Sequence, residues 1–269
     1  MSATTSSEGA LARGWAALAA RRRAGLVTYL TAGFPSLPAS LEAFRTADEL
    51  ADVIEVGVPF SDPLADGPTI QRSTFTALQQ GMTLPRTLEL IDSASFTRPV
   101  VVFSYLNPIL RYGLSRFLRD AASLGVAGLL LTDLPAGSDT AIEHELAASP
   151  IDLIRLLAPT TPPDRLSAAT AGARGFLYLV SRLGVTGASA SVSGDLGDMI
   201  AKVRRASSLP IAVGFGLSTP AQVAQVARLA DGVVIGSALV DRLADGGIAG
   251  ARDLLTSLRD ALDAVERPA

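Results

Sequence analysis

The chain of 269 residues contains no cysteine, one lysine (Lys202) and one histidine (His144). Without cysteine there is neither a disulfide framework nor thiolate chemistry. Lys202 lies in "SGDLGDMIAKVRRA" and His144 in "AIEHELA", both helical patterns with polar neighbours. Both therefore read as helix-surface positions, and a Schiff-base mechanism would rest on Lys202 alone. A protein metal site gathers several His, Cys or carboxylate ligands, and no such cluster appears, so no metal is expected. A net charge of −3, with no run of basic residues in a groove-binding pattern, gives no electrostatic footprint for nucleic acid. Apolar runs such as "VAGLLL" are far shorter than a bilayer span. If the chain is an enzyme, its chemistry falls to carboxylates, tyrosines, hydroxyls and backbone amides.

What is present is the profile of a compact soluble protein, 48% hydrophobic and 18% charged. The N-terminal stretch is rich in Ser, Ala and Arg, a faint likeness to an organelle transit peptide. Leu11, Trp15 and Leu18 fall on one face of an amphipathic helix, which accounts for it better. A cytoplasmic location is expected. Eight short aliphatic runs start at Leu26, Val53, Val100, Val126, Ile151, Phe176, Ile211 and Gly232, separated by helical patterns. One such helix places Leu37, Leu41 and Phe44 on a shared face. Near-continuous apolar strands indicate a parallel sheet covered on its outer side. Eight βα units in about 250 residues point to α/β architecture as a closed (β/α)8 TIM barrel, with a doubly wound open sheet as the alternative. The expectation is one domain over 1–269, with a leader and helix at 1–24 and the barrel at 25–266. Two connections are long, from Val58 to about Thr69 and from Arg182 to about Asp198, and long loops of this kind are disordered or serve as lids.

The stretch "IEVGVPFSDPLADGPTIQ" places Glu55 inside an apolar run. An ionised carboxylate left dry and unpaired costs several kcal/mol or more, so Glu55 must be partnered, neutral or useful. By period-2 alternation it shares a face with Val53 and Gly57, and it points into the barrel mouth if Ile54 and Val56 face the helices. A structural carboxylate held by neighbouring hydroxyls remains an equal reading. Asp66 precedes Gly67-Pro68 and fits a helix cap as well as a functional group. Asp62 before Pro63 reads as a turn, and Asp133 after the fourth strand equally as a functional group or as a turn or cap residue. Tyr105 and Asn107 end the third strand, and Tyr178 lies in the sixth. "VGFGLSTP" and "VIGSALV" each lead from a strand into a helix, where Ser218 and Ser237 suit N-caps. Gly216 and Gly236 let backbone amides approach an anion, in the loops where this barrel often binds phosphate, with Gly187 as a further donor.

In order along the chain, "YLTAGFPS", "IEVGVPFSDPLADGPTIQ", "FSYLNPIL", "LLLTDLP", "YLVSRLGVTG", "VGFGLS" and "VIGSALV" resemble the tryptophan synthase alpha chain family from about Tyr29 to Val240. The resemblance implies a lyase performing retro-aldol cleavage of indole-3-glycerol phosphate to indole and glyceraldehyde 3-phosphate. By motif position it makes Glu55 and Asp66 the catalytic carboxylates and Tyr178 the active-site tyrosine. Tyr29, Phe103, Tyr105 and Asp133 would surround the indole pocket, and Thr186 would close over substrate. Gly187, Gly216, Gly236 and Ser237 would hold phosphate. Phe176 departs from members that carry tyrosine there. The resemblance further implies an α2β2 heterotetramer with a beta chain that alone carries pyridoxal phosphate, so this chain would need no cofactor. Asp62, Pro63, Asn107 and Pro108 would face that partner, next to an apolar surface patch. A stand-alone indole-releasing lyase and another phosphate-binding barrel of the same pathway are the alternatives.

Overall fold

The computed structural model describes residues 9–180, 194–214 and 216–267. Eight parallel strands close in sequence order, each paired with the next and the last with the first. They are β1 (Gly25–Thr31), β2 (Val53–Gly57), β3 (Val100–Ser104), β4 (Val126–Leu131), β5 (Asp152–Leu157), β6 (Leu177–Val180), β7 (Ile211–Gly214) and β8 (Gly232–Ile235). This is a (β/α)8 barrel, and the open doubly wound sheet is excluded by closure of β8 on β1. The helices are α1 (Ala10–Ala20), α2 (Leu37–Leu50), α3 (Pro68–Gln79), α4 (Leu84–Ala94), α5 (Leu106–Tyr112) and α6 (Leu114–Ser123). They continue with α7 (Thr140–Ala148), α8 (Leu166–Ala169), α9 (Gly194–Ala206), α10 (Pro220–Ala227) and α11 (Ser237–Asp263).

Alternation along each strand sorts side chains between two cores. Ile54, Val56, Val102, Leu129 and Val213 pack outward against the helices. Val27, Val53, Val101, Leu130, Ile154, Ala212 and Val234 fill the interior. Glu55 therefore faces inward, on the side of Val53. Leu11, Trp15 and Leu18 of α1 are buried in the interior cluster, closing the end of the barrel where the strands begin. The glycines of β1 and β8 make this possible. A Cβ on Gly25 or Gly232 would stand 2.8 or 2.6 Å from the Trp15 ring, closer than packed carbon atoms approach. With that end plugged, the inward-facing side chains near the C-terminal ends of the strands open onto a cavity. On α2, Phe44 is fully buried but Leu37, the first helical residue, is 38% exposed.

Helix α11 turns sharply at Gly247 (φ 59°, ψ −154°), which divides a short segment at the barrel mouth from the long outer helix. A positive φ of this kind is accessible to glycine at little cost.

Candidate active site

The cavity at the C-terminal ends of the strands measures about 450 Å³, within the usual range of small-molecule sites. Tyr29 (β1), Glu55 (β2), Phe103 (β3) and Tyr178 (β6) line its floor, while Asp66, Gly216, Gly236 and Ser237 line its rim. Eight residues expected at the site from scattered positions in the sequence thus meet in one space.

Glu55 is fully buried, and neither carboxylate oxygen has a hydrogen-bond partner among the described residues. Desolvation pushes its acid up to about 8, since a dry environment disfavours the charged form. The reading of Glu55 as a structural carboxylate held by hydroxyls has no support in this arrangement: the acid is kept neutral rather than fastened. Tyr29 stands beside it in the β1–β2 register. Its ring meets Phe103 edge-on at 5.1 Å, and its hydroxyl lies 3.4 Å from Thr31 Oγ1. Burial raises the Tyr29 and Tyr178 phenols further from ionisation, and the negative charges of Asp66 on Tyr29 and of Glu55 on Tyr178 add to this. Both rings remain neutral hydrogen-bonding groups at any ordinary pH.

Asp66 sits at the end of the long loop after β2. It does not cap α3, whose N-cap is Gly67 with no side-chain hydrogen bond. Its acid is raised to about 6, chiefly by desolvation and partly offset by a hydrogen bond from Tyr105. The Tyr105 hydroxyl also accepts the Ala65 N–H at 2.8 Å, and its ring lies against Phe60. The Gln71 amide donates to the Asp66 carbonyl at 2.9 Å. These contacts hold the backbone on both sides of Asp66 while its carboxylate stays available to the cavity.

The remaining expected residues are placed as follows. Asp133 does not line the cavity; its carboxylate accepts the Leu106 N–H at 2.7 Å and so caps α5. Asp62 is exposed in a turn and accepts from Ser61. Asn107 is exposed, and Pro63 and Pro108 are half-buried. Thr186 and Gly187 lie outside the described residues. Two expected N-caps shift by one residue: Thr219, not Ser218, caps α10 through a capping box with Gln222, because Pro220 takes the first helical position. Gly236, not Ser237, is the N-cap of α11, so both Gly236 and Ser237 present the helix start to the cavity. Such a start favours an anion. Among the described residues no group of three or more His, Cys, Asp or Glu could hold a metal ion.

The sequence reading missed Thr69 and Asp241, which also line the cavity and are joined by a 3.1 Å hydrogen bond. It also missed the reason for two glycines. A Cβ on Gly57 would lie 2.2 Å from the Tyr29 hydroxyl, and one on Gly214 would lie 2.3 Å from that of Tyr178. Each tyrosine occupies the space its neighbouring strand leaves free, a pattern visible in sequence only as a glycine two residues from Glu55 or at a strand end.

Fold and cavity together define a (β/α)8 barrel with two carboxyl groups and the start of a helix gathered at its C-terminal mouth. The family model described as tryptophan synthase alpha chain matches residues 15–265. A tryptophan synthase alpha chain of Chloroflexus aurantiacus is 44% identical over 266 residues, covering 96% of this chain and 99% of that one. A Mycobacterium tuberculosis tryptophan synthase structure superposes with a TM-score of 0.87 at 38% identity, covering 95% of this chain and 99% of that chain. The tryptophan synthase alpha subunit of Legionella pneumophila also reaches 0.87, at 32% identity and with 96% and 99% covered. This chain belongs to the tryptophan synthase alpha chain family. Membership makes it a lyase of tryptophan biosynthesis and implies a beta-chain partner.

Proposed function

We propose that the chain cleaves indole-3-glycerol phosphate into indole and glyceraldehyde 3-phosphate, with Glu55 as acid and base and Asp66 as the electrostatic partner of the indole ring. The observation that carries this reading is the neutral, unpartnered Glu55 at the cavity floor. Breaking the carbon–carbon bond at indole C3 first requires protonation of C3, which places positive charge on the ring. Glu55 supplies that proton. Asp66, ionised above about pH 6, accepts the ring N–H and stabilises the cation. Glu55, now a carboxylate, takes the proton of the glycerol hydroxyl. The electrons of that O–H bond form the aldehyde, the C–C bond breaks, and its pair returns to the ring as neutral indole. Glu55 ends protonated, so no net proton is consumed.

Tyr29, Phe103 and Tyr178 form the apolar and aromatic enclosure for the indole. Gly216, Gly236 and Ser237 offer the amide-rich rim that suits a phosphate dianion. The beta chain docks where Asp62, Pro63, Asn107 and Pro108 reach the surface, in an α2β2 assembly. Leu64 and Leu110, 93% and 47% exposed, supply apolar surface on the same two segments, which suits a contact with the beta chain. Pyridoxal phosphate belongs to the beta chain, and the assembly works in the cytoplasm. Among the described residues no helix is long and apolar enough to cross a membrane.

Purified chain incubated with indole-3-glycerol phosphate should release indole, and added beta chain should accelerate it. Full activity without any response to the beta chain would favour a stand-alone lyase, and no indole under either condition would refute the assignment.

A further inference from the structure

The cavity has two chemically distinct ends, and they are carried by different helices. Asp66 directly precedes α3, while Gly236 and Ser237 begin α11. A substrate that spans both ends is turned over only if the carboxylate at one end is in register with the anion cradle at the other. Misplacement by about 1 Å can cost on the order of 100-fold in rate.

The two helices pack together, and one side chain of α11 hydrogen-bonds across to α3. Asp241, five residues into α11, accepts the Thr69 hydroxyl at 3.1 Å on Oδ2 and the Arg72 guanidinium at 3.0 Å on Oδ1. Arg72 also reaches Thr69 Oγ1 at 3.4 Å, which closes a triangle. Thr69 and Arg72 lie on α3, three and six residues past Asp66. Both Thr69 and Asp241 face the cavity. Asp241 is an anion at the end of the cavity that suits an anion, so a purely local role would oppose phosphate binding. The Arg72 ion pair offsets that charge. The pair is too exposed to matter for global stability, with side chains 68% and 44% accessible; such pairs contribute ~0–1 kcal/mol.

We infer that Asp241 is a positioning residue, which through Thr69 and Arg72 fixes the Asp66-bearing segment against the helix start formed by Gly236 and Ser237. The inference rests on the lyase reading of this cavity. It makes the alignment of the two ends a property of one hydrogen-bonded triangle and not only of the barrel frame.

The test uses the full chain with its beta chain and indole-3-glycerol phosphate. Asp241→Asn and Arg72→Gln should each lower kcat about tenfold while KM changes less than about threefold, because the cradle amides are intact and only the approach of Asp66 is disturbed. Combining them should add little, since either change opens the triangle. Exchanging the pair, Arg72→Asp with Asp241→Arg, should recover most of kcat. Unchanged kcat in both single variants would overturn the inference. So would a rise in KM at constant kcat, which would mark a charge effect on phosphate, or losses that multiply in the double variant without recovery on exchange. A wild-type chain that releases no indole would instead sink the lyase reading itself.

Discussion

The hydroxyl of Tyr29 rests over Gly57, in the space where any other residue would place its Cβ, 2.2 Å from that oxygen. Gly57 is two residues beyond Glu55 on the same inward face of β2, so the tyrosine and the buried acid are held side by side by the absence of one side chain. Gly57→Ala should push Tyr29 out of its place against Phe103. The expected cost is about 1–3 kcal/mol of stability from overpacking, with indole release falling more than the folded fraction does. Thermal unfolding and turnover measured on the same sample separate the two effects. An alanine variant with wild-type melting and wild-type rate would mean that the ring has room the distances do not show.

Glu55→Gln removes the carboxyl group at the cavity floor while preserving its shape. Acid–base groups typically contribute ~10²–10⁴-fold, and this one is used twice in the proposed cycle. Indole formation should therefore fall by at least about 100-fold, with binding of glycerol phosphate little changed. Near-normal turnover in the variant would falsify the assignment of Glu55.

The two carboxylates require opposite protonation states. Asp66 must be ionised and becomes so above about 6; Glu55 must be protonated and remains so below about 8. The pH profile of kcat/KM for indole release should thus be bell-shaped, rising through about 6 and falling through about 8. Asp66→Asn should remove the acidic limb, and the alkaline limb should persist in whatever activity remains. A profile that keeps rising past pH 9 would exclude the protonated glutamate as the starting form.

The periodic features of the chain announced most of this architecture. Eight aliphatic runs and their helical spacers pointed to the closed barrel over an open sheet, and alternation put Glu55 opposite Ile54 and Val56, which the outward packing of those two turns into an inward direction. The face of Leu11, Trp15 and Leu18 was equally plain, though not that it plugs the barrel through Gly25 and Gly232. What periodicity leaves open is tertiary partnership. Asp66 fitted a helix cap until Gly67 proved to hold that place, and Asp133 became a cap of α5 only through a strand neighbour. Asp241 lies 172 residues from its Thr69 partner, a separation that no local pattern encodes.

Leu64 is 93% exposed in the loop that leads to Asp66, and Tyr105 fastens that loop to the segment bearing Asn107 and Leu110. An apolar side chain so exposed contributes little to the fold, so Leu64→Asp should leave the melting temperature nearly unchanged. Facing the beta chain it would bury an unpaired charge, and association should weaken at least about tenfold, the ratio given by 1.4 kcal/mol. Titration of the beta chain against the variant, followed by calorimetry, checks this. Undiminished affinity would move the docking surface elsewhere.

The protonation state of Glu55 also predicts a pH-dependent stability that a glutamine cannot share. Its acid titrates near 4.5 when unfolded and near 8 when folded, so between those values the folded chain binds the additional proton. Wild-type stability should therefore decline relative to Glu55→Gln as pH rises through this window, and level off above about 8 where both states are ionised. The accumulated difference is on the order of several kcal/mol, at 1.36 kcal/mol for each unit of displacement. Below pH 4.5 the acid is neutral in both states, and this contribution vanishes. Denaturant unfolding of the two proteins at pH 5, 7 and 9 reads the trend directly. The variant should gain steadily on the wild type across the series, trading the activity of Glu55 for the stability its burial forgoes. Parallel curves at all three pH values would show that Glu55 finds a partner when charged, and would remove the physical basis for its role as the acid.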